Sequence, residues 1–329
     1  MLKLHFIDVA DGDSVLIELT EGPLSFRMLV DTGHRHVAPA AGSRRLTALA
    51  YLRQLGIHRL DAVVITHLHQ DHFGGLLPLL EQIRVDALYA GYLPAHPGSQ
   101  IICPCGADKT VRGLIGCLND WSRAAASLLA AGSRLHTITE NCTLAPGSGL
   151  RAELILPNPP LSSLQRRCWD ALQEGRPVDA QALYWSSKSR NPGSVRIALA
   201  YAGRRIHLSG DCYGAVWDQE ALLPCDILKV PHHGDGKAIT GLLAQKLRPV
   251  HAVISCAAEY DSRKDRPSLR TMELLAAQGT RIWFTDGFSS QPYTAQRWPA
   301  AVFTIESDGT IGTPCAEKSG GNHDYNGFI

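Results

Sequence analysis

A chain of 329 residues in which 45% of the side chains are hydrophobic can bury a large core, as one big domain or two modest ones. Its 32 basic and 31 acidic residues leave a formal charge of +1, which excludes the global positive field of a general nucleic-acid or membrane-surface binder. The opening "MLKLHFIDVADGD" has no signal-type apolar region or cleavage site, and no apolar run reaches the roughly 20 residues of a membrane span, so a cytoplasmic protein without membrane contact is expected.

The first thirty residues read as strands: "LKLHFIDV", "SVLIEL" and "FRMLVDTG", each apolar or β-branched and each closed by Gly or Asp. From Ser43, "SRRLTALAYLRQLGI" places Leu46, Leu49, Leu52 and Leu55 at helical spacing. "LDAVVITH" returns to a strand, "GGLLPLLEQI" to a helix, "VDALYAG" to a strand, "NDWSRAAASLLAAG" to a helix and "AELILPNP" to a strand. Helices alternating with apolar strands predict helical layers against sheet structure. Residues 159–189 are polar and mixed, and are expected to be an insertion that forms a lid or substrate-facing loop. Strands then resume as "SVRIALAYAG", "RRIHLSGD", "DILKVPHHG" and "HAVISC", followed by the helix "SLRTMELLAAQG" and the strands "TRIWFTDG" and "AAVFTIES". One domain over 1–312 and a frayed polar tail over 313–329 are expected. Nine cysteines, odd in number and scattered, predict reduced thiols; Cys103 and Cys105 form a C-x-C pair that is too little for a zinc site.

The strongest chemical signal is "VVITHLHQDHFGG", in which His67, His69, Asp71 and His72 follow a buried β-branched run. Residues two apart on a strand exit face the same way, so His67 and His69 can grip one ion, while Asp71 and His72 at the turn can hold a second. Imidazole with carboxylate suits Zn²⁺, and also Mn²⁺ or Fe²⁺. Asp211 follows the strand "RRIHLSG", where a glycine lets a carboxylate approach an ion. In "VPHHG", adjacent histidines point different ways, so one of His232 and His233 binds metal while the other orients it or contacts substrate. His251 is read as a core or edge histidine.

"THLHQDHFGG" matches the H-x-H-x-D-H motif of the metallo-β-lactamase fold superfamily, and "HFIDVADGDSVLIEL", "MLVDTG", "HLSGD", "NPGS" and "DILKVPHHG" resemble its other elements. The set is most similar to the hydrolase domain of the competence protein ComEC/Rec2 and its soluble relatives, which include phosphorylcholine esterases. The resemblance implies an α/β, four-layer αββα sandwich and two divalent metal ions, Zn²⁺ or Mn²⁺. His67 and His69 would bind one ion, Asp71 and His72 the other, and Asp211 would bridge them. His232 or His233 would complete the second site, with His232 taken as the ligand and His233, like Asp71 and Asp211, as catalytic. Asp31 would orient a ligand histidine, and Asp13 would stabilise its loop. The chain departs from many superfamily members at two places. Asn191 stands where a third histidine would serve the first metal, and "SRKDRPS" puts Arg266 before Pro267 where relatives carry His-Pro.

A dinuclear site lowers the pKa of a water and clamps the oxygens of a displacement. The expected function is therefore a phosphodiesterase or nuclease-like hydrolase. Histidine at residue 69 favours hydrolysis over oxygen chemistry, because the flavodiiron branch resembles a variant with Glu there. The alternatives are a hydrolase of a small ester, lactone or phosphorylcholine-type substrate, and a binding or regulatory protein that has lost turnover. A narrow pocket capped by 159–189 would favour the small substrate. An open basic groove near Arg166, Arg167, Arg190 and Arg263 to Arg266 would favour nucleic acid. The sequence sets no oligomeric state.

Overall fold

The computed structural model describes residues 1–40, 43–103, 105–147, 149–257, 265–286 and 299–314. An eight-stranded sheet carries the strands in the order Ile311–Gly312, Ala300–Ile305, Leu2–Ile7, Val15–Glu21, Leu24–Val30, Ala62–Ile65, Ala87–Ala90 and Arg134–Thr137. A seven-stranded sheet runs Arg281–Phe284, His251–Ile254, Ile227–Lys229, Arg204–Leu208, Arg196–Tyr201, Leu150–Ile155 and Cys142–Leu144. In each, antiparallel pairing gives way to parallel pairing part-way across: between Leu24–Val30 and Ala62–Ile65 in the first sheet, and between Arg204–Leu208 and Ile227–Lys229 in the second.

Strand periodicity sorts the core into layers. Leu2, Leu4 and Phe6 alternate with Ile7 and the buried His5, so one face of the first sheet meets Ile197, Leu199, Ile206 and Leu208 of the second. The opposite face carries Ile7, Leu16, Leu29, Val63 and Ile65 against the helix Lys109–Ala130, whose Leu114, Leu118 and Trp121 are buried at helical spacing. Beyond the second sheet, Leu228, Val230, Ala252 and Ile254 pack on the helices Gly241–Leu247 and Leu269–Ala276 through Leu243, Leu247, Met272 and Leu275. The expected αββα sandwich is the observed architecture.

Element bounds differ from the sequence reading where caps decide them. Thr47 accepts a hydrogen bond from Ala50 N and starts its helix at Ala48, so only Ala48–Gln54 of the leucine-spaced segment is helical. Asp108 accepts from Val111 N and starts the 22-residue helix ten residues before the expected Asn119, which lies inside it. Residues 159–189 are not a loop. They form a helical hairpin, Pro159–Gln173 and Ala180–Lys188, with Asn158 and Asp179 as N-caps and with Cys168, Trp169 and Leu183 packed into the outer core of the first sheet. The expected tail lies outside the described residues from 315 onward, as does Arg263. Eight cysteines are described and all are free, Cys103 and Cys105 being exposed. His251 lies on its strand, where Nδ1 accepts from the Trp283 indole at 3.3 Å.

Candidate metal centre

The histidine-rich segment leaves the first sheet at the end of Ala62–Ile65. His69 caps the short helix Gln70–Phe73, which turns Asp71 and His72 back over the sheet edge. His67 and His69, still extended, present their rings together, with His67 Nε2 2.8 Å from His69 Nδ1. Across from them, Asp211 follows the second sheet's strand Arg204–Leu208. Gly210 permits this approach: its φ is +49°, and a Cβ there would lie 2.8 Å from Thr66 Oγ1. A backbone bond from Val195 N to Thr66 O, 2.9 Å, ties the two sheet ends at the same place.

Asp211 faces both clusters. Its Oδ2 is 3.6 Å from His67 Nε2, and its Oδ1 is 3.2 Å from His72 Nε2 and 3.8 Å from His233 Nε2. His233 Nε2 also lies 3.4 Å from Asp71 Oδ2. The donor atoms of Asp71, His72, Asp211 and His233 lie within 4.8 Å of one another, as do those of His67, His69 and Asp211. His72 Nε2, His233 Nε2 and Asp211 Oδ1 are buried and have no hydrogen-bond partner. Buried polar atoms left this way are costly unless something else satisfies them, so the donor set fits a cation at each cluster.

The other ring nitrogens are committed. Asp31 Oδ2 takes His72 Nδ1 at 2.7 Å, while its oxygens also accept from Thr66 N and Thr66 Oγ1, each at 2.8 Å. His233 Nδ1 donates to Ser255 O at 3.1 Å. Each arrangement holds the proton on Nδ1 and aims the Nε2 lone pair into the cluster. Asp31, reached through a left-handed backbone at φ 57°, thus stands where the sequence expected an orienting carboxylate.

The sequence reading placed His232 in the second cluster, and the structure places His233 there. His232 and His233 both have left-handed backbones, with φ 47° and 55°, and this sharp turn swings the two rings apart. His232 instead pairs its Nδ1 with Asp235 at 2.5 Å and meets Arg266 at Nε2, and it stays 3.8 Å from Asp211 Oδ2.

Burial and the charge of His72 hold the His67 imidazole well below the usual histidine range. His69 is pushed down to about 3 by burial and then by the Arg190 guanidinium. Burial is the largest single influence on His72 and His233 and opposes their charge, but the Asp211 carboxylate acting together with Asp31 at His72, and with Asp71 and Asp13 at His233, outweighs it, and both are raised. Burial likewise works against ionised Asp71 and Asp211, yet His233 at the first and His72 at the second keep these carboxyls well below their ordinary values.

Asn191 is buried near the site, with Nδ2 donating to the Tyr213 hydroxyl at 3.3 Å and Oδ1 unpartnered. Tyr213 carried no signal in the sequence. Nor did Lys229, which pairs with Asp13 beneath the cluster, both side chains being 2–3% exposed. Asp13 also lies 3.6 Å from His233 Nδ1 and 3.8 Å from His72 Nδ1, in addition to binding its loop through Gly33 N.

Residues 7–98 match the family model of the metallo-beta-lactamase superfamily. The chain has the metallo-β-lactamase fold. The superfamily is made up mostly of hydrolases. A curated relative, ComE operon protein 3 of Bacillus subtilis, is 22% identical over 302 residues that make up 86% of this chain and 32% of that protein. The chain therefore spans about a third of the length of the relative it matches. Among solved structures, it is similar to the metallo-β-lactamase fold protein YhfI from Bacillus subtilis, with 12% identity, TM-score 0.46, and coverage of 86% of this chain and 95% of that one. Zn²⁺-bound PqqB from Methylobacterium extorquens has 14% identity and TM-score 0.45, with coverage of 86% of this chain and 97% of that one. Among the described residues, no helix is long and apolar enough to cross a membrane.

Proposed function

We propose that the chain is a dinuclear metal-dependent hydrolase of phosphodiesters, with residues 1–312 as the hydrolase domain. The observation that carries this reading is the convergence of three unpartnered buried donors, His72 Nε2, His233 Nε2 and Asp211 Oδ1, beside the His67–His69 pair. His67, His69 and Asp211 would hold one ion, and Asp71, His72, His233 and Asp211 the other. His233 thereby replaces His232 in the ligand set. Two divalent ions supply water activated near neutral pH and neutralisation of the charge that builds on phosphoryl oxygens.

The chain's own residues do the positioning. Asp31 and the Ser255 carbonyl fix the tautomers of His72 and His233, so neither ring must reorganise when a cation arrives. The Asp211 carboxylate stands between the clusters and sets their separation. His232, held between Asp235 and Arg266, lines the site without entering the donor set. Asn191, held by Tyr213, takes the place of a third histidine and leaves the His67–His69 side with fewer protein donors.

The phosphodiester assignment rests on the resemblance to the ComEC/Rec2 hydrolase domain; nucleic acid is one such substrate. A specific observation favours a second reading, a small ester or lactone substrate: the helical hairpin walls a narrow cleft beside His67 through Ser162, Gln165 and Trp169. Purified protein loaded with Mn²⁺ or Zn²⁺ is to be assayed on bis(p-nitrophenyl) phosphate, DNA, RNA and p-nitrophenyl acetate. Cleavage of a phosphodiester supports the proposal. Turnover of the acetate alone transfers it to the ester reading, and no turnover by fully metallated protein supports a degenerate binding protein.

A further inference from the structure

Asn191 opens the turn Asn191–Gly193 and is 6% exposed. Three bonds tie this segment to the His67–His69 side of the site. Arg190 Nη1 donates to Leu68 O, between the two histidines, at 2.7 Å; Val195 N donates to Thr66 O at 2.9 Å; and Ser194 Oγ accepts from Asp211 N at 3.3 Å. Asn191 therefore sits between one anchor beside the histidines and another beside the carboxylate they face. The hairpin backs the same turn: Gln165 Nε2 donates to Ser189 O at 3.1 Å, and a Cβ on Gly193 would lie 3.1 Å from Gln165 Oε1.

The Asn191 amide is oriented in the same manner as the ligand imidazoles. Nδ2 donates to the Tyr213 hydroxyl at 3.3 Å, and Tyr213 stands edge-on to His232 with ring centroids 5.2 Å apart. That bond uses the donor end and leaves Oδ1, a buried acceptor without a partner among the described residues, as the free end. A buried carbonyl oxygen in this condition carries an unmet desolvation cost. Beside it, His67, His69 and Asp211 offer one ion three protein donors, where Asp71, His72, His233 and Asp211 offer the other four.

We infer that Asn191 Oδ1 is a fourth protein ligand of the ion at His67 and His69, with Tyr213 the residue that positions it. The inference rests on the dinuclear reading and refines it on the side counted as short of donors. Each ion then meets two imidazole nitrogens and two oxygens, but the Asn191 amide is neutral where Asp71 is charged. The His67–His69 ion is accordingly the weaker and more exchangeable of the two. An amide oxygen also suits Mn²⁺, whereas a third imidazole would favour Zn²⁺.

Stepwise affinities for Mn²⁺ and Zn²⁺, read by chelator competition on wild type, Asn191→Ala, Asn191→His and Tyr213→Phe, test the assignment. Asn191→Ala is expected to weaken the second ion to bind by at least about 10-fold, since even groups that only support a ligand contribute that much, with the first-bound ion unchanged. Asn191→His is expected to raise the Zn²⁺ affinity of the weaker site relative to its Mn²⁺ affinity. Tyr213→Phe is expected to weaken the same ion by less than Asn191→Ala does. Unchanged affinities in Asn191→Ala overturn the inference, as does equal weakening of both ions, which marks a structural role. In wild-type protein the Asn191 side-chain amide resonances are expected to shift on the second equivalent of Zn²⁺, and static resonances overturn the inference even where a variant fails to fold. Two ions bound without phosphodiester turnover remove the hydrolase reading and leave these affinities to decide the role of Asn191, whereas a wild type that binds no ion overturns both.

Discussion

Replacing Lys229 with Met tests whether the layer beneath the site is held by charge. Lys229 and Asp13 are 2% and 3% exposed at their side chains and pair across the two sheets, Lys229 ending a strand of the second and Asp13 lying in the loop before Val15 in the first. Methionine fills much the same volume, so the change removes the ammonium with little loss of packing. It leaves Asp13 buried, 3.6 Å from His233 Nδ1 and 3.8 Å from His72 Nδ1, with both of those protons already committed to other oxygens. Breaking a buried pair from one side costs about 3–5 kcal/mol. At about 2–4 °C per kcal/mol for a large domain, melting should fall by roughly 6–20 °C. Urea titration and calorimetry of the single variant and of Asp13→Asn/Lys229→Met give the assay, and the double variant should recover part of the loss because no charge remains unpaired. A single variant within about 1 kcal/mol of wild type, the scale of an exposed ion pair, would refute the reasoning.

Glu18 accepts from His5 and Arg27, and these bonds, His5 first and against the opposing effect of burial, hold its carboxyl at about 2. A depressed carboxyl contributes stability above its unfolded value of 4.5 and loses that contribution as the pH falls toward 2, so urea midpoints should drop through this window and the drop should flatten in Glu18→Gln. Asp31→Ala removes the acceptor that fixes His72, and metal affinity read by chelator competition should fall about 10–100-fold with the fold retained. An affinity equal to wild type would mean that Thr66 alone suffices to orient the ring.

Much of the fold was legible in the first strands, where Leu2, Leu4 and Phe6 alternate along the chain and Gly or Asp residues punctuate the ends, and in Ala62–Ile65, a continuous apolar run buried on both faces. The cluster His67, His69, Asp71 and His72 was legible because its members are local: one strand exit and one helical turn bring them together. Features that depend on distant partners were not. Nothing near Lys229 in sequence names Asp13, and the choice between His232 and His233 depends on two left-handed residues and on the Ser255 carbonyl. The 159–189 segment reads as polar because its outward face is, yet Cys168, Trp169 and Leu183 form an apolar stripe whose partner surface, the helix Lys109–Ala130, lies elsewhere in the chain. Arg190 was visible only as one basic residue among several. The cleft it lines exists only in the folded chain.

Metal stoichiometry, measured by elemental analysis alongside phosphodiester turnover for wild type and Asp211→Ala, tests the central claim most directly. Wild type grown with Zn²⁺ or Mn²⁺ is predicted to hold about two ions per chain, and Asp211→Ala to hold one or none, without turnover and with an unchanged circular dichroism spectrum. Metal-replete wild type that binds no ion, or an Asp211→Ala variant that keeps two ions and full turnover, would contradict it.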